Sequence, residues 1–137
     1  MPKVGRVVET SIYSNDLTNC LAFYEGLFGF PRLVVDPRIC ALDVNGQSVL
    51  LLFQVGASLN PVPTPGGIIP GTDGKGPSHF AFAIDKADLT AWEQHLQQHG
   101  VAVESRVHWP LGGDSIYFRD PDGNSVELVT PGCWATY

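Results

Sequence analysis

Asn45-Gly46-Gln47-Ser48-Val49-Leu50-Leu51 returns later in the chain as Asp122-Gly123-Asn124-Ser125-Val126-Glu127-Leu128, a tight-turn signal running into an apolar strand. Asp16-Leu17-Thr18 likewise returns as Asp88-Leu89-Thr90. Working outward, Val7–Tyr13 alternates as a strand. A helix capped by Asn15 or Asp16 follows, carries Leu17, Leu21, Tyr24 and Phe28, and is closed by Gly26 and Gly29. Strands are expected over 32–36, 39–44 and 48–54. From Ser78 the same order recurs: a strand to Ile84, a helix capped by Asp85 with Leu89, Trp92 and Leu96 on one face, and strands over 101–107, 115–119 and 125–129. Two copies of a β-α-β-β-β unit, an α+β fold, is the economical reading. The offset of the turn motifs sets Leu50 where the second copy has Glu127.

Between the copies, Val55–Pro77 holds five prolines and six glycines in 23 residues, the composition of a connector or a functional flap. The expected organisation is one domain of 137 residues, with modules over 5–55 and 77–131 and a flap over 56–76. Each module alone is too small to bury a stable core.

Composition narrows function. The chain is 44% hydrophobic, which excludes disorder, and its charged content of 16% is well below the roughly 25% of an average domain. So bare a surface points to a covering subunit, most simply a homodimer. Eight basic against fourteen acidic residues give a net charge of −6, which excludes nucleic acid and anionic membrane as partners. The start lacks a signal-peptide stretch, and the longest apolar run, Val49–Phe53, is far too short for a membrane span. Cys20, Cys40 and Cys133 are odd in number and widely spaced, which argues against a disulfide framework and for a cytoplasmic location.

Strand alternation nominates the chemistry. Phe80 and Phe82 suit a helix-covered face and leave His79, Ala81 and Ala83 on the other. Val126 and Leu128 oppose Ser125, Glu127 and Val129, and Thr10 and Ile12 oppose Glu9, Ser11 and Tyr13. One imidazole and two carboxylates on a shared concave face, Glu9, His79 and Glu127, can hold a divalent cation. Their net charge of −2 suits Mn²⁺ or Mg²⁺, with Zn²⁺, Ni²⁺ and Fe²⁺ also open. Glu9 and Glu127 are the candidate catalytic carboxylates, and Glu9 could serve instead as a general base. Ser11, Tyr13 and Tyr117 face the same way, Trp109 lies in the loop before Pro110, and these four are the candidate substrate contacts. Cys133 and Trp134 read as packing residues, and His95 and His99 as solvated.

Asp16-Leu17, Ala22-Phe23-Tyr24, Leu27-Phe28-Gly29-Phe30, His79-Phe80-Ala81-Phe82, Tyr117-Phe118-Arg119-Asp120-Pro121-Asp122-Gly123-Asn124 and Glu127-Leu128 together resemble the vicinal oxygen chelate superfamily. That superfamily groups glyoxalases, extradiol dioxygenases, fosfomycin-resistance enzymes and metal-free bleomycin-resistance proteins. The resemblance implies curled mixed sheets forming an open barrel or cup, usually completed in a homodimer. It carries metal ligands onto Glu9, His79 and Glu127 and a pocket-lining tyrosine onto Tyr117. Glu9 departs from the His or Gln of most members, and Leu50 from a further glutamate of glyoxalase I. The function implied is metal-dependent isomerase or lyase chemistry on a small oxygenated metabolite, with or without a thiol such as glutathione. Two alternatives stand beside it: a binding protein that sequesters a flat hydrophobic drug or metabolite, and a ring-cleaving dioxygenase.

Overall fold

The computed structural model describes residues 1–137, which divide into two compact units, 1–76 and 77–137. In the first, β1 (Glu9–Ser14) leads into α1 (Leu17–Phe28), then β2 (Arg32–Val35), β3 (Ile39–Val44) and β4 (Ser48–Gln54). The strands form a mixed sheet in the order β1-β4-β3-β2, with β1 parallel to β4. The Asp16 carboxylate caps α1 by accepting from the Asn19 N–H, and Gly29 ends it in the left-handed region at φ 67°. Gly26, expected to help close the helix, lies inside it. Helix α1 packs on β3 and β4, burying Leu17, Cys20, Leu21, Tyr24 and Leu27 against Leu42, Leu50, Leu52 and Ile12. Asn45 and Gly46 both take positive φ, 54° and 66°, and Gln47 N–H donates to the Val44 carbonyl, as their turn chemistry predicts.

The second unit repeats the plan: β7 (His79–Ala83), a single 3₁₀ turn over Lys86–Asp88, α2 (Leu89–Gln98), β8 (Ser105–His108), β9 (Asp114–Arg119) and β10 (Ser125–Val129). Its sheet order is β7-β10-β9-β8, with β7 parallel to β10. Ile116, Phe118, Val126 and Leu128 are buried on one face. The loop into β10 is held from within. Asp120 Oδ1 accepts from the backbone N–H groups of Asp122 and Asn124, and the Asn124 amide donates to Asp120 Oδ2. The free carbonyl of that amide accepts the Ser78 N–H at 2.7 Å, tying the start of β7 to the start of β10.

Several expectations need correction. Strand β1 begins at Glu9, because pairing with β4 starts at Val49 and leaves Val7 and Val8 exposed. Strand β8 begins at Ser105: residues 101–104 follow a helix end still being closed by the Val101 N–H on the Leu96 carbonyl. Asp85 makes no side-chain cap, since its backbone carbonyl, not its carboxylate, takes the Asp88 N–H. Trp134 is 71% exposed and is not a packing residue. The Pro/Gly segment holds a hairpin that the composition hid: β5 (Val62–Thr64) and β6 (Gly67–Ile69) pair antiparallel, pinned by Thr64 Oγ1 donating to the Gly67 carbonyl.

The register also corrects the alignment of the two copies. Ser11 pairs with Leu51 and Thr10 with Leu50, whereas Ala81 pairs with Glu127. Leu50 therefore lies on the helix face with Ile12 and is 1% exposed. The counterpart of Glu127 is Leu51, and that of His79, paired with Ser125, is Glu9, paired with Val49. No helix is long and apolar enough to cross a membrane.

Candidate functional site

The face of the second sheet opposite its core brings together side chains from three strands. Glu127 on β10 pairs with Tyr117 on β9, His79 on β7 pairs with Ser125, and Ser115 lies two residues before Tyr117, on the same face. Glu127 is only 6% exposed, so its charge has to be answered locally. Ser115 Oγ donates to Glu127 Oε1 at 2.5 Å, and the indole N–H of Trp109 donates to Ser115 Oγ at 2.7 Å. An indole can only donate and a hydroxyl has one proton. The chain Trp109–Ser115–Glu127 thus has one direction and ends on Glu127 Oε1.

The other carboxylate oxygen, Oε2, lies 3.3 Å from His79 Nε2. His79 Nδ1 is 3.0 Å from the Ser125 carbonyl oxygen, which accepts only, so Nδ1 carries a hydrogen and the neutral ring presents a lone pair at Nε2. Two acceptors facing each other at this separation need a hydrogen or a cation between them: a proton carried by either group, or a metal ion bound to both. Carboxylate oxygen and imidazole nitrogen are a donor pair for Mn²⁺, Zn²⁺, Ni²⁺ or Fe²⁺, and a ring N–H held by a backbone carbonyl is the usual support of a metal-binding histidine. The residues fit an ion. The Tyr117 phenol, its ring centroid 6.1 Å from that of His79, is held above its ordinary pKa, first by burial and then by its hydrogen bond to the Glu127 carboxylate. It stays protonated, with its one hydrogen engaged by that carboxylate. Cys133 is shifted the same way by burial and by the Glu127 charge.

Glu9, Ser11 and Tyr13 belong to the first unit, where they share the face opposite α1 and line a pocket of about 370 Å³. Leu51, Phe53, Val62 and Ile69 supply apolar walls, and Arg38 a cation. Tyr13 stacks on Phe53 with centroids 5.4 Å apart. The segment carrying β5 and β6 is tied here: Tyr13 O–H donates to Thr72 Oγ1 at 3.1 Å, Thr72 N–H donates to the Ser58 carbonyl, and Ser58 Oγ donates to the Thr72 carbonyl. At Gly74 a Cβ would come within 2.5 Å of the Tyr13 ring, so the chain closes on that ring only as glycine. Within each unit, no three His, Cys, Asp or Glu side chains gather on their own as a cation site. The residue that reading the sequence missed is Ser115, whose signal was its place on the Tyr117 face.

Comparison with known proteins identifies the family. The model of the Glyoxalase/Bleomycin resistance protein/Dioxygenase superfamily matches residues 5–128. The chain belongs to that superfamily. It is 32% identical over 117 residues to metallothiol transferase FosB of Bacillus licheniformis, covering 85% of this chain and 69% of that one. Catechol-2,3-dioxygenase of Bacillus subtilis is 29% identical over 82% of this chain, which spans only 36% of that protein. The crystal structure of lactoylglutathione lyase from Agrobacterium tumefaciens superposes with a TM-score of 0.88 at 32% identity, covering 98% of this chain and 99% of the other. These superfamily relatives carry the names of enzymes, and they carry the glyoxalase fold onto both β-α-β-β-β units.

Proposed function

We propose that this superfamily member is a divalent-metal-dependent enzyme of lyase or isomerase type acting on a small oxygenated metabolite. His79 and Glu127 are the ligands of the second unit in this reading, and Glu9 is the candidate ligand or general base of the first. The observation that carries it is the facing pair of acceptors, His79 Nε2 and Glu127 Oε2, 3.3 Å apart. A bound cation supplies Lewis-acid stabilisation of negative charge on neighbouring substrate oxygens. The chain does the rest: Ser115 and Trp109 fix the Glu127 carboxylate, the Tyr117 phenol turns its hydrogen from Glu127 to a substrate oxygen, and Glu9 or Glu127 carries a proton. Ser11 and Tyr13, in the pocket of the first unit, hold the body of the substrate, and the ring face of Trp109 adds a contact. Residues 56–76 act as a flap over that pocket. The functional unit in this reading is a cytoplasmic homodimer.

The similarity to FosB favours a second reading, transfer of a thiol onto an oxygenated acceptor by the same residues. Elemental analysis of protein purified without chelator, followed by assay with lactoylglutathione and with thiol plus electrophilic acceptor, decides between them. One Mn²⁺, Zn²⁺, Ni²⁺ or Fe²⁺ per site and ion-restored turnover of lactoylglutathione support the first. Restored thiol transfer alone supports the second. Absence of both ion affinity and turnover leaves a binding protein of the bleomycin-resistance type.

The hydrogen-bond chain makes a separate prediction. Ser115→Ala removes the partner of both the Trp109 indole and Glu127 Oε1, and Mn²⁺ affinity is expected to fall about 10- to 100-fold. Ser115→Thr keeps the hydroxyl and restores most of it. Calorimetric titration of the two variants checks this, and equal affinities in both would remove Ser115 from the site.

A further inference from the structure

The pocket of the first unit is charged at its two ends and apolar between them. Glu9 pairs with Val49 and Tyr13 with Phe53 in the register of β1 and β4, and Ile39 lies opposite Phe53 on the other side. Arg38, the residue before Ile39, therefore stands at the Tyr13 end of this face, four strand residues or about 13 Å from Glu9. Leu51 and Phe53 line the stretch between them, and Val62 and Ile69 add two more apolar side chains as a cross-strand pair of the β5–β6 hairpin. The backbone of Arg38 is fixed on both sides. Its N–H donates to Asp36 Oδ1 at 2.7 Å, and its carbonyl accepts the Gln54 N–H at 2.8 Å. Asp36 Oδ1 also takes the Ile39 N–H, and only Oδ2 faces the guanidinium, 3.9 Å from Nη2, beyond hydrogen-bonding distance. The planar N–H fork of Arg38 thus keeps its donors for an acceptor brought in from solvent, and the two oxygens of a carboxylate match that fork.

We propose that the substrate is an apolar carboxylate, bound with its acid group on Arg38, its hydrocarbon body on Leu51, Phe53, Val62 and Ile69, and its oxygenated end toward Glu9. The inference rests on the reading of this pocket as the one that holds the substrate body, and it gives that body a chemical class. The two charged ends also set the direction of binding. A carboxylate at the Glu9 end meets a like charge, and an ammonium at the Arg38 end does the same. A cavity of about 370 Å³ is at the small end of ligand pockets, which restricts the body to one ring or a short chain.

The test is calorimetric titration of the chelator-treated full chain, in which no ion can hold the acid, with 3-phenylpropanoate, the neutral 3-phenylpropanol and 3-phenylpropylamine. The acid is expected to bind tightest. Arg38→Gln should weaken the acid about 10-fold or more and leave the alcohol unchanged, so that the preference between them disappears. Arg38→Lys keeps the charge without the fork and should restore part of it. His79→Ala is expected to bind the acid as the parent does, because every residue of the pocket belongs to the first unit. A parent chain that binds no Mn²⁺ yet prefers the acid through Arg38 would sink the metal-dependent reading and support this one. Absence of acid binding, equal affinities for acid and alcohol, or a preference for the acid that survives Arg38→Gln would overturn the proposal, whatever the Mn²⁺ result.

Discussion

Glu127→Gln is expected to lower divalent-ion affinity by roughly 10²-fold or more and to remove metal-dependent turnover, while the fold survives. Glutamine keeps the size of the side chain, and its carbonyl oxygen can still accept from Ser115. Its amide nitrogen then faces His79 Nε2 in place of Oε2, the oxygen 3.3 Å away. An N–H group donates to that lone pair directly, so the acceptor pair that a cation would bridge is gone. Resistance to urea is expected to stay within about 1 kcal/mol of the parent, because a carboxylate only 6% exposed is replaced by a neutral group that keeps its partners. Mn²⁺ calorimetry and urea unfolding of the same preparation read both sides. A Gln variant that binds Mn²⁺ with parental affinity would show that Glu127 is not a ligand.

Asn124→Ala is expected to be the costliest single change outside the apolar core, at about 2–4 kcal/mol. The side chain is fully buried and satisfies two separate segments: its carbonyl takes the Ser78 N–H and its amide serves Asp120 Oδ2. Alanine removes the acceptor of the Ser78 N–H and one donor to Asp120 Oδ2 from a fully buried position. Ser78 precedes His79, so Mn²⁺ affinity should fall along with stability. Asn124→Asp separates the two effects. It keeps an acceptor for Ser78 but sets a second carboxylate against Asp120, and the loss should shrink at acid pH as that pair takes up a proton. Urea midpoints for both variants at neutral and acid pH check this. An alanine variant as stable as the parent would show that the loop does not hold β7.

Local signals in the chain were enough for the two β-α-β-β-β units. The Asp16 cap, the Gly29 stop, the Asn45-Gly46 turn and period-two alternation each act within a few residues, and the strands over 39–44, 48–54 and 125–129 follow from them. Alternation also put His79 and Glu127 on the face away from the core, since that needs only the parity of a strand. Parity fails across a turn. Matching Asn45-Gly46 to Asp122-Gly123 aligns turn chemistry, not hydrogen-bond register, and one residue of slip moved Leu50 from the buried face to the site face. The hairpin over 62–69 escaped for a related reason: prolines and glycines suppress strand propensity, and only pairing between β5 and β6 and the Thr72 contacts to Tyr13 and Ser58 overcome it.

The chemistry of the site belongs to tertiary structure. Residue type and alternation alone named His79, Glu127 and Tyr117 as neighbours in function. Which nitrogen of His79 bears the hydrogen is decided by the Ser125 carbonyl, 46 residues away. Which oxygen of Glu127 is spent is decided by Ser115, 12 residues away. Each depends on strands pairing in one register, and a hydrogen bond has a direction that residue order does not carry. The sequence by itself thus determined which side chains share a strand face, and the pairing of β7, β9 and β10 decided which lone pairs face one another.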